Sequence, residues 1–409
     1  MAERAGLARR EIVLPRSNAD CMSRHQRHDV IRVVQSAGDI EPDAWDRLAG
    51  GNPLLRHAFV HGLELTGCAA PESGWVPCHL SLWHDDVLTG VMPLYLKDHS
   101  YGEYVFDWAW ADAYHRHGLA YYPKLLCALP FTPVTGPRIM AASPHQRELL
   151  LAGALAFAEN SRASSLHVLF PPGEVATECE RAGMMLRKGV QFHWHNAGYR
   201  TFEDFLGSLT REKRKKIRQE RRRVHEQAIT FRWIRGSEAT EADWIFFERC
   251  YRRTYREHRS TPYLNLAFFL HLAQHMPEHL LLIEALRDGK PVAATFNIVI
   301  GNEVLYGRNW GAVAHVPLLH FECCYYQTVE YCIAHGIGRF EGGAQGEHKM
   351  ARGLMPVETV SAHWVAHADF RRAIGQYLAR ETRGIGEYVD ELNEHSPFST
   401  AAAASAEPS

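Results

Sequence analysis

The sequence predicts an α/β protein of two tandem domains, each a mixed, largely antiparallel sheet flanked by helices. Three observations lead to this prediction. The chain has 409 residues, a length that suits two domains of ordinary size. Hydrophobic residues make up 46% and charged residues 22%, proportions that exclude a wholly disordered chain. The same order of strands and helices is predicted in both halves, which indicates a structural duplication. Two unrelated α/β domains are the alternative.

Both ends of the chain are expected to lie outside the domains. Residues 1–28 lack apolar periodicity and predict a flexible leader, while the small, polar residues 396–409 predict a disordered tail. The two domains are therefore expected at 29–200 and 201–395. The longest nearly apolar run, Leu149–Ala158, is too short for a membrane span of about 20 residues. Nine scattered cysteines without a C-x-x-C pair favour reduced thiols, so we expect a cytoplasmic protein.

In the first half, two apolar runs around an acidic turn predict a hairpin, and short apolar runs predict further strands. The predicted elements are strand Asp29–Val34, helices Pro42–Ala49 and Pro53–Thr66, hairpin Cys78–Lys97, strand Tyr104–Trp110, helix His145–Arg162, strand Ser165–Phe170, helix Gly173–Ala182 and strand Met184–His195.

The second half repeats this order. Its predicted elements are strand Ile229–Ile234, helices Thr240–His258 and Leu264–His275, hairpin His279–Ile300, strand Val304–Trp310, helix Pro317–His335, strands Arg339–Gly342 and Glu358–His367, and helix Asp369–Leu392. Thr240 and Asp243 have the spacing of a capping box, and Asp288-Gly289 predicts the hairpin turn. The meander Cys78–Trp110 is thus expected to correspond to His279–Trp310.

Several longer segments resemble a bacterial family of peptidoglycan biosynthesis or recognition proteins, which is related to the Fem-type aminoacyltransferases of the GNAT superfamily. The segments are AYHRHGLAYYPKLLCALPFTPVTGPR (113–138), FHWHNAGYRTFEDFLGSLTREKRKKIRQERRRV (192–224), GRNWG (307–311), LHFECCYYQ (319–327) and FEGGAQGEHKMARG (340–353). Because they fall in both halves, the resemblance implies two tandem GNAT-like domains. It further implies transfer of an acyl or aminoacyl group to an amine, with aminoacyl-tRNA as the Fem-type donor.

The chain departs from acetyl-CoA-dependent GNAT domains at one motif. Those domains carry R/Q-x-x-G-x-G/A before the long helix, where backbone amides hold a pyrophosphate. Neither FTPVTGPRIMAASPHQ (131–146) nor GAVAHVPLLHFE (311–322) has this pattern. Acyl-CoA therefore remains a possible donor beside aminoacyl-tRNA, without a motif that supports it, and no other cofactor is predicted.

The segment Phe340–Gly353 is the densest polar cluster and follows a short buried strand. Its glycines allow a ligand to approach the backbone, and loops at strand ends commonly bind ligands. The resemblance implies that Lys349 meets the substrate, as a lysine on a comparable segment does in Fem-type enzymes. The residues predicted to take a proton from the attacking amine or to bind the substrate are Glu341, Glu347, His348, Gln345 and Arg352. A solvated turn is the alternative.

Other candidates lie at the ends of predicted elements. Arg308, Asn309 and Trp310 end the third meander strand of the second half, whose edge lines the acyl cleft in GNAT folds. His320 lies at the start of the long helix, and Arg138 follows a stiff proline-rich segment, so both are candidates for substrate binding. For Arg138 the alternative is a structural edge. The adjacent cysteines 323 and 324 are interpreted as core residues, because no partner base is evident.

The net charge of −2 conceals one basic block. Residues 211–223, on a helix predicted to start at Thr201, hold nine basic and two acidic residues. The basic ridge, as we call its predicted polyanion-binding face, consists of Arg211, Lys215, Arg218 and Arg222. Such a ridge predicts contact with tRNA or a nucleotide-linked substrate, and a solvated linker helix is the alternative. The 25 histidines lack ligand partners at standard spacing, so no metal is predicted.

The sequence therefore predicts an acyltransferase or aminoacyltransferase acting on an amine, and the resemblance implies a cell-wall precursor as the acceptor. A conventional acetyl-CoA-dependent N-acetyltransferase is one alternative. A non-catalytic module that binds a cell-wall precursor or RNA is the other.

Overall fold

A computed structural model describes residues 11–12, 29–344 and 346–399 of the chain. The described residues form two compact units. The first unit comprises Met1–Gly189 and Thr359–Gly384, and the second comprises Val190–Glu358 and Ile385–Ser409, in each case as far as residues are described. Within the described residues no helix is long and apolar enough to cross a membrane.

Sixteen strands are found in the described ranges. They are β1 (Glu11–Ile12), β2 (Asp29–Val34), β3 (Trp75–Pro77), β4 (His79–His84), β5 (Val87–Met92), β6 (Tyr95–Lys97), β7 (Lys124–Cys127), β8 (Met140–Ala141), β9 (Ser165–Leu169), β10 (Met185–His195), β11 (Ile229–Arg235), β12 (Leu280–Arg287), β13 (Lys290–Ile300), β14 (Val304–Ala312), β15 (Arg339–Glu341) and β16 (Met355–Val365).

The helices of the described residues follow the predicted order. They are α1 (Pro42–Ala49), α2 (His57–Leu65), α3 (Trp108–Arg116), α4 (Pro144–Asn160), α5 (Gly173–Arg181), α6 (Phe202–Ser208), α7 (Arg211–His225), α8 (Glu241–Glu257), α9 (Leu266–His275), α10 (Leu319–Phe321, a π-helical segment Glu322–Tyr326, and Gln327–Ala334) and α11 (Ala368–Glu394). Short 3-10 turns occupy Ala37–Asp39, Pro53–Leu55, Pro71–Ser73, Pro277–His279 and Glu347–Arg352.

The first unit is built on a kinked antiparallel meander. β2 pairs with β4 and β4 with β5, while β3 and β6 continue the same hairpin and β6 pairs with β7. β7 then runs parallel to β9, and β9 is antiparallel to the Ser361–Val365 end of β16. The core between these strands and α4 is fully apolar, with Leu80, Leu150 and Leu166 inaccessible to solvent. Burial of this surface is the main driving force for folding of the unit.

The second unit has the same strand order without the kink. β11, β12, β13 and β14 form an antiparallel meander, β14 runs parallel to β15, and β15 is antiparallel to the end of β10. The predicted turn at Asp288-Gly289 is present, with φ of 50° and 72°. The predicted capping boxes, Thr240 with Asp243 and Thr201 with Asp204, are both formed. Each unit thus contains one parallel pair preceded by a meander, as the predicted duplication requires.

One predicted strand is wrong. Tyr104–Trp110 does not form a strand, and its second part begins α3 instead. Tyr104 has φ of 62°, which interrupts an extended chain, and the run after Asp107 places Trp110 and Tyr114 one helical turn apart on a buried face. The strand that completes the meander of this unit is β7, which pairs with β6. It lies within the segment 113–138 that resembles the family.

Four boundaries differ from the prediction. Residues 190–200 belong to the second unit, because the N-terminal part of the first unit ends at Gly189. Residues 359–384 belong to the first unit, since the end of β16 pairs with β9. The helix expected to run from Thr201 is divided, because Leu209 is extended and forms a β-bridge with Phe398. The same bridge shows that the disordered tail does not begin at Ser396: residues 396–399 are ordered, with Phe398 against the core of the second unit. The expected leader and residues 400–409 lie almost entirely outside the described residues.

Candidate functional site

A cleft opens in the second unit where its parallel strands part. β14 and β15 pair through Leu305–Phe340 and last at Tyr306–Glu341, and β14 then continues beside β13 to Ala312. The opening has a volume of about 130 Å³. Its lining residues are Thr295, Asn297, Gly307, Arg308, Asn309, Trp310, His320, Cys324, Tyr325, Phe340 and Gly342. Beyond Tyr306, β14 has no neighbouring strand on this side among the described residues, which leaves room for an extended ligand.

A β-bulge presents one wall of the cleft. The register between β13 and β14 shifts after Phe296, which leaves Arg308 as the extra residue. Arg308, Asn309 and Trp310, all predicted from the sequence, line the cleft as a result. The side-chain Oδ1 of Asn309 is buried and has no hydrogen-bond partner among the described residues. It is therefore an acceptor that a donor group of a ligand can satisfy.

The floor carries two polar residues that the sequence analysis did not single out. The side chain of Asn297 donates to the Leu281 carbonyl at 3.3 Å and to Thr295 Oγ1 at 2.8 Å. Both residues of this pair are buried and both line the cleft. Their i, i+2 spacing on an otherwise apolar strand puts them on one face, and this pattern was the available signal.

The start of α10 forms the opposite wall. The ring of His320 lies 5.5 Å from that of Trp310 and 5.7 Å from that of Tyr325. Desolvation, together with the nearby charges of His348, Arg352 and Lys349, lowers the pKa of His320 to about 4. The ring of His320 is therefore neutral near pH 7 and can form hydrogen bonds with a ligand.

Tyr325 and Cys324 lie on the same wall, and only the first can take part in proton transfer. The hydroxyl of Tyr325 lies 3.0 Å from Nε2 of His348, whose ring is exposed on its other side. A proton can therefore pass from the cleft through this hydroxyl to His348. Burial raises the pKa of the Cys324 thiol far above neutrality, so Cys324 is not a nucleophile, as the sequence analysis concluded.

Lys349 lies behind the cleft at Gly342. Its side chain is buried, with only 3% of the residue exposed, and Nζ donates to the Gly343 carbonyl at 2.9 Å. A Cβ at position 342 would lie 2.8 Å from Cδ2 of Leu354, so the glycine allows Leu354 to pack against the backbone beside the Lys349 stem. Burial lowers the pKa of Lys349 to about 8, although Cys324 acts in the opposite direction. Glu341 and Glu347, the two carboxylates predicted in this segment, are not among the groups that shift this pKa.

The two carboxylates lie elsewhere. Phe340 and Gly342 line the cleft, so Glu341 between them points to the other face of the strand. There it accepts from Arg339 at 3.0 Å and lies 3.7 Å from His193. Burial raises the pKa of Glu341 to about 7. Glu347 is exposed and accepts a hydrogen bond from Tyr388 at 2.6 Å.

Arg352 and Arg138, two of the three arginines predicted to bind the substrate, are buried and stabilise the structure instead. Arg352 is 4% exposed, donates to both oxygens of Glu220 at 3.1 and 3.3 Å, and stacks on Phe321. It therefore stabilises this segment instead of facing the cleft. Arg138, in the first unit, is 1% exposed and donates to backbone carbonyls, including that of Leu169 at 2.7 Å. Arg138 therefore has a structural role at the edge of the sheet, which was the alternative to substrate binding. Gln345 lies outside the described residues.

Among its described residues, the first unit has no open cleft between β7 and β9, the strands that correspond to β14 and β15 of the second unit. β7 and β9 pair as far as Cys127–Val168, and the following chain folds back over the gap. Gly136 donates to the Phe170 carbonyl at 3.1 Å, and the guanidinium of Arg138 fills the space beside it. The chemistry of the cleft is therefore expected from the second unit.

The basic ridge is exposed along α7, whose opposite face is buried at Ile217 and Val224. Within it Arg218 pairs with Glu203, and Arg222 lies 3.5 Å from Glu226. These surface pairs contribute little and leave most of the positive potential available. In the described parts of the chain, no cluster of three or more potential ligands could hold a metal ion.

Comparison with known proteins identifies one family. The sequence profile of the FemAB-like family, described as peptidoglycan biosynthesis/recognition, matches residues 36–400. The crystal structure of FemX is similar, with a TM-score of 0.52 and 11% identity over 82% of this chain and 98% of that one. L-PGS from Bacillus licheniformis has a TM-score of 0.50 and 10% identity over 85% of this chain and 98% of its own. Among curated proteins none matches significantly. The likeness to FemX confirms the predicted fold class, two tandem α/β units.

Proposed function

Because the chain belongs to the FemAB-like family of peptidoglycan biosynthesis/recognition proteins, we propose that its second unit transfers an acyl or aminoacyl group to an amine. The observation that carries this proposal is the cleft between the parted strands β14 and β15. It offers an unpaired strand edge, the free acceptor of Asn309 and a route for a proton through Tyr325. These are the groups that a neutral amine and an activated carbonyl require.

The reaction is a direct displacement. The nitrogen of the amine attacks the carbonyl carbon, a C–N bond forms, and the C–O bond of an ester or the C–S bond of a thioester breaks. Arg308 and backbone amides of the bulge orient the carbonyl, and Asn309 Oδ1 accepts from the amine. The amine loses a proton through Tyr325 to His348, and the leaving group takes up a proton from solvent. Positioning in the cleft supplies most of the rate.

We favour aminoacyl-tRNA as the donor. The basic ridge lies on α7 of the same unit as the cleft and is suited to a polynucleotide. The segment before α10 lacks the glycine pattern that holds the pyrophosphate of acyl-CoA, and Leu318, with φ of 69°, occupies its last position. We further propose that the acceptor is a nucleotide-linked cell-wall peptide and that transfer takes place in the cytoplasm, where such donors are made.

A binding module is the second candidate, and one observation favours it. The ammonium of Lys349 is satisfied by the Gly343 carbonyl instead of a carboxylate. Among the described residues no carboxylate forms an ion pair with this ammonium, whereas a carboxylate beside Lys349 would favour catalysis.

The test offers donor and acceptor together. The purified chain is incubated with a nucleotide-linked cell-wall peptide bearing a free amine, and with either a mixture of aminoacyl-tRNAs or acetyl-CoA. Mass spectrometry follows the peptide. We expect the mass increase of an amino-acid residue with aminoacyl-tRNA only. Transfer from acetyl-CoA supports the N-acetyltransferase, and saturable peptide binding without transfer from either donor supports the binding module.

Two variants connect the activity to this cleft. Asn309→Ala removes the free acceptor, and Tyr325→Phe removes the hydroxyl while retaining the ring. Each is expected to slow transfer by about 10- to 100-fold, the scale for losing one positioned polar group. Lys290→Ala, at an exposed hairpin turn, is the control and is expected to retain full activity. Unchanged rates in both cleft variants contradict this location of the site.

A further inference from the structure

A second cavity lies wholly within the first unit, where the end of α2 and the following turn face β2 and β3. Its volume is about 250 Å³. Much of its wall is apolar, with Leu65, Ala69 and Val76 among the lining residues. Its polar groups are concentrated in Gln35, Ser36, His61 and Glu64. The cavity thus combines an apolar wall with one carboxylate.

Glu64 has one acceptor position unused. Its side chain is 7% exposed, and Oε1 accepts from His79 Nε2 at 2.6 Å. Oε2 accepts from Ser36 Oγ at 2.7 Å and from the Ala37 amide at 2.9 Å. Because a carboxylate offers about four acceptor positions, three of them are filled and the one that is left belongs to Oε1.

The partner of Glu64 does not neutralise it. The backbone amide of Leu94 donates to Nδ1 of His79 at 3.0 Å. A ring nitrogen that accepts a hydrogen bond carries no proton, so His79 is the neutral Nε2–H tautomer. Burial opposes the ionisation of Glu64, yet the hydrogen bonds from His79, Ser36 and the Ala37 amide favour the ionised form, and the pKa of this carboxyl is lowered. A negative charge without a full counter-charge therefore lies in the cavity wall.

His61 is the other titratable group that faces this carboxylate. Its Nδ1 lies 3.7 Å from Oε2 of Glu64. This nitrogen is buried and has no hydrogen-bond partner among the described residues. In the Nε2–H tautomer it is an acceptor, so two acceptors face the same end of the cavity.

We propose that this cavity binds a primary ammonium group carried on an aliphatic chain. An ammonium has three N–H donors, which suit the free position on Oε1 and the Nδ1 of His61, and its charge compensates that of Glu64. The methylene groups pack along the apolar wall beside Leu65 and Val76. The site uses first-unit residues alone, so it stands or falls independently of the transfer reaction.

Isothermal titration calorimetry of the full chain with three five-carbon probes tests the charge requirement. We expect saturable binding of n-pentylammonium, at least about tenfold weaker binding of 1-pentanol, and no binding of pentanoate. Equal affinities for the amine and the alcohol overturn the proposal, as does the absence of saturation by n-pentylammonium. This comparison uses the unmodified protein and does not depend on any variant folding.

Variants then test the location. Glu64→Gln removes the charge with little change in shape, and Val76→Phe narrows the apolar wall. Both are expected to weaken n-pentylammonium binding by about tenfold or more. Glu72→Gln is the matched control, because Glu72 is exposed on the adjacent turn Pro71–Ser73. Binding that stays within about twofold of the wild type in both Glu64→Gln and Val76→Phe overturns the proposed site.

Discussion

Replacing Lys349 by methionine is expected to stabilise the protein at neutral pH while it impairs transfer. Burial lowers the pKa of Lys349 from 10.5 in the unfolded chain to about 8 in the folded one. This lowering of the pKa corresponds to roughly 3 kcal/mol against the charged, folded form. Methionine has nearly the same length and no charge, so the variant avoids this cost. It also loses the hydrogen bond to the Gly343 carbonyl, worth about 1 kcal/mol, which leaves a net gain on the order of 2 kcal/mol.

The pH dependence distinguishes this explanation from a packing effect. Between the folded and unfolded pKa values of Lys349 the unfolded state binds more protons, so wild-type stability rises with pH. The advantage of Lys349→Met is therefore full below about pH 8 and declines between about pH 8 and pH 10.5. Urea unfolding of both proteins at several pH values measures the difference. Lys290→Met, on the exposed hairpin turn, is the control and should show no such trend.

The same variant should lose activity by about 100-fold, the scale for one positioned charge-stabilising donor. A stabilised but impaired variant is typical of a residue retained for function. The reasoning is refuted if Lys349→Met is less stable than the wild type at pH 7, or if the difference between them does not change up to pH 10. Full transfer activity in the variant refutes the role implied by the resemblance to Fem-type enzymes.

Three further outcomes are expected. Changing all four residues of the basic ridge to glutamine should leave the melting temperature nearly unchanged. In filter-binding assays the same change should reduce the affinity for tRNA and flatten the salt dependence of binding. If the affinity is unchanged at low and at high salt, α7 is a solvated helix without a polyanion-binding role. Arg352→Ala should destabilise the protein by about 3–5 kcal/mol in urea unfolding, since Glu220 is left buried without its partner, whereas Arg222→Ala should cost less than about 0.5 kcal/mol. Arg138→Ala should lower stability by several kcal/mol without a specific effect on transfer by the protein that remains folded, and a selective loss of transfer would restore it as a site residue.

Much of the fold follows from local sequence patterns. The second-unit strands are continuous apolar runs bounded by turn residues, and the boundaries of β12, β13 and β14 lie close to those predicted. The strand expected at Tyr104–Trp110 failed because alternating aromatic residues also occur on a helix with one buried face. Trp110 and Tyr114 are buried there while Trp108 is exposed. Local periodicity could not show that β7, four residues long, completes the meander.

Site residues could be predicted from the sequence where they lie at the end of a strand or the start of a helix. Arg308, Asn309, Trp310 and His320 were identified because they end a strand or begin a helix, and all four line the cleft. Arg352 was misassigned because its partner is 132 residues away in the sequence. Spacing along the chain does not reveal such a buried ion pair, and a charged residue in a glycine-rich segment then resembles a ligand-binding one.

The buried side of α7 connects the basic ridge to the cleft. Glu220 accepts from Arg352, which lies in the same 3-10 turn as Lys349, and also from the Tyr326 hydroxyl on α10. Arg221 donates to Glu322 at 3.1 Å and to Glu330 at 2.6 Å, both on α10. Buried ion pairs are costly to break, so α7 cannot move independently of the two elements that flank the cleft. A polynucleotide bound along the outer face of α7 would therefore be held at a fixed distance from the cleft, which is what a donor with its acyl group at one end requires.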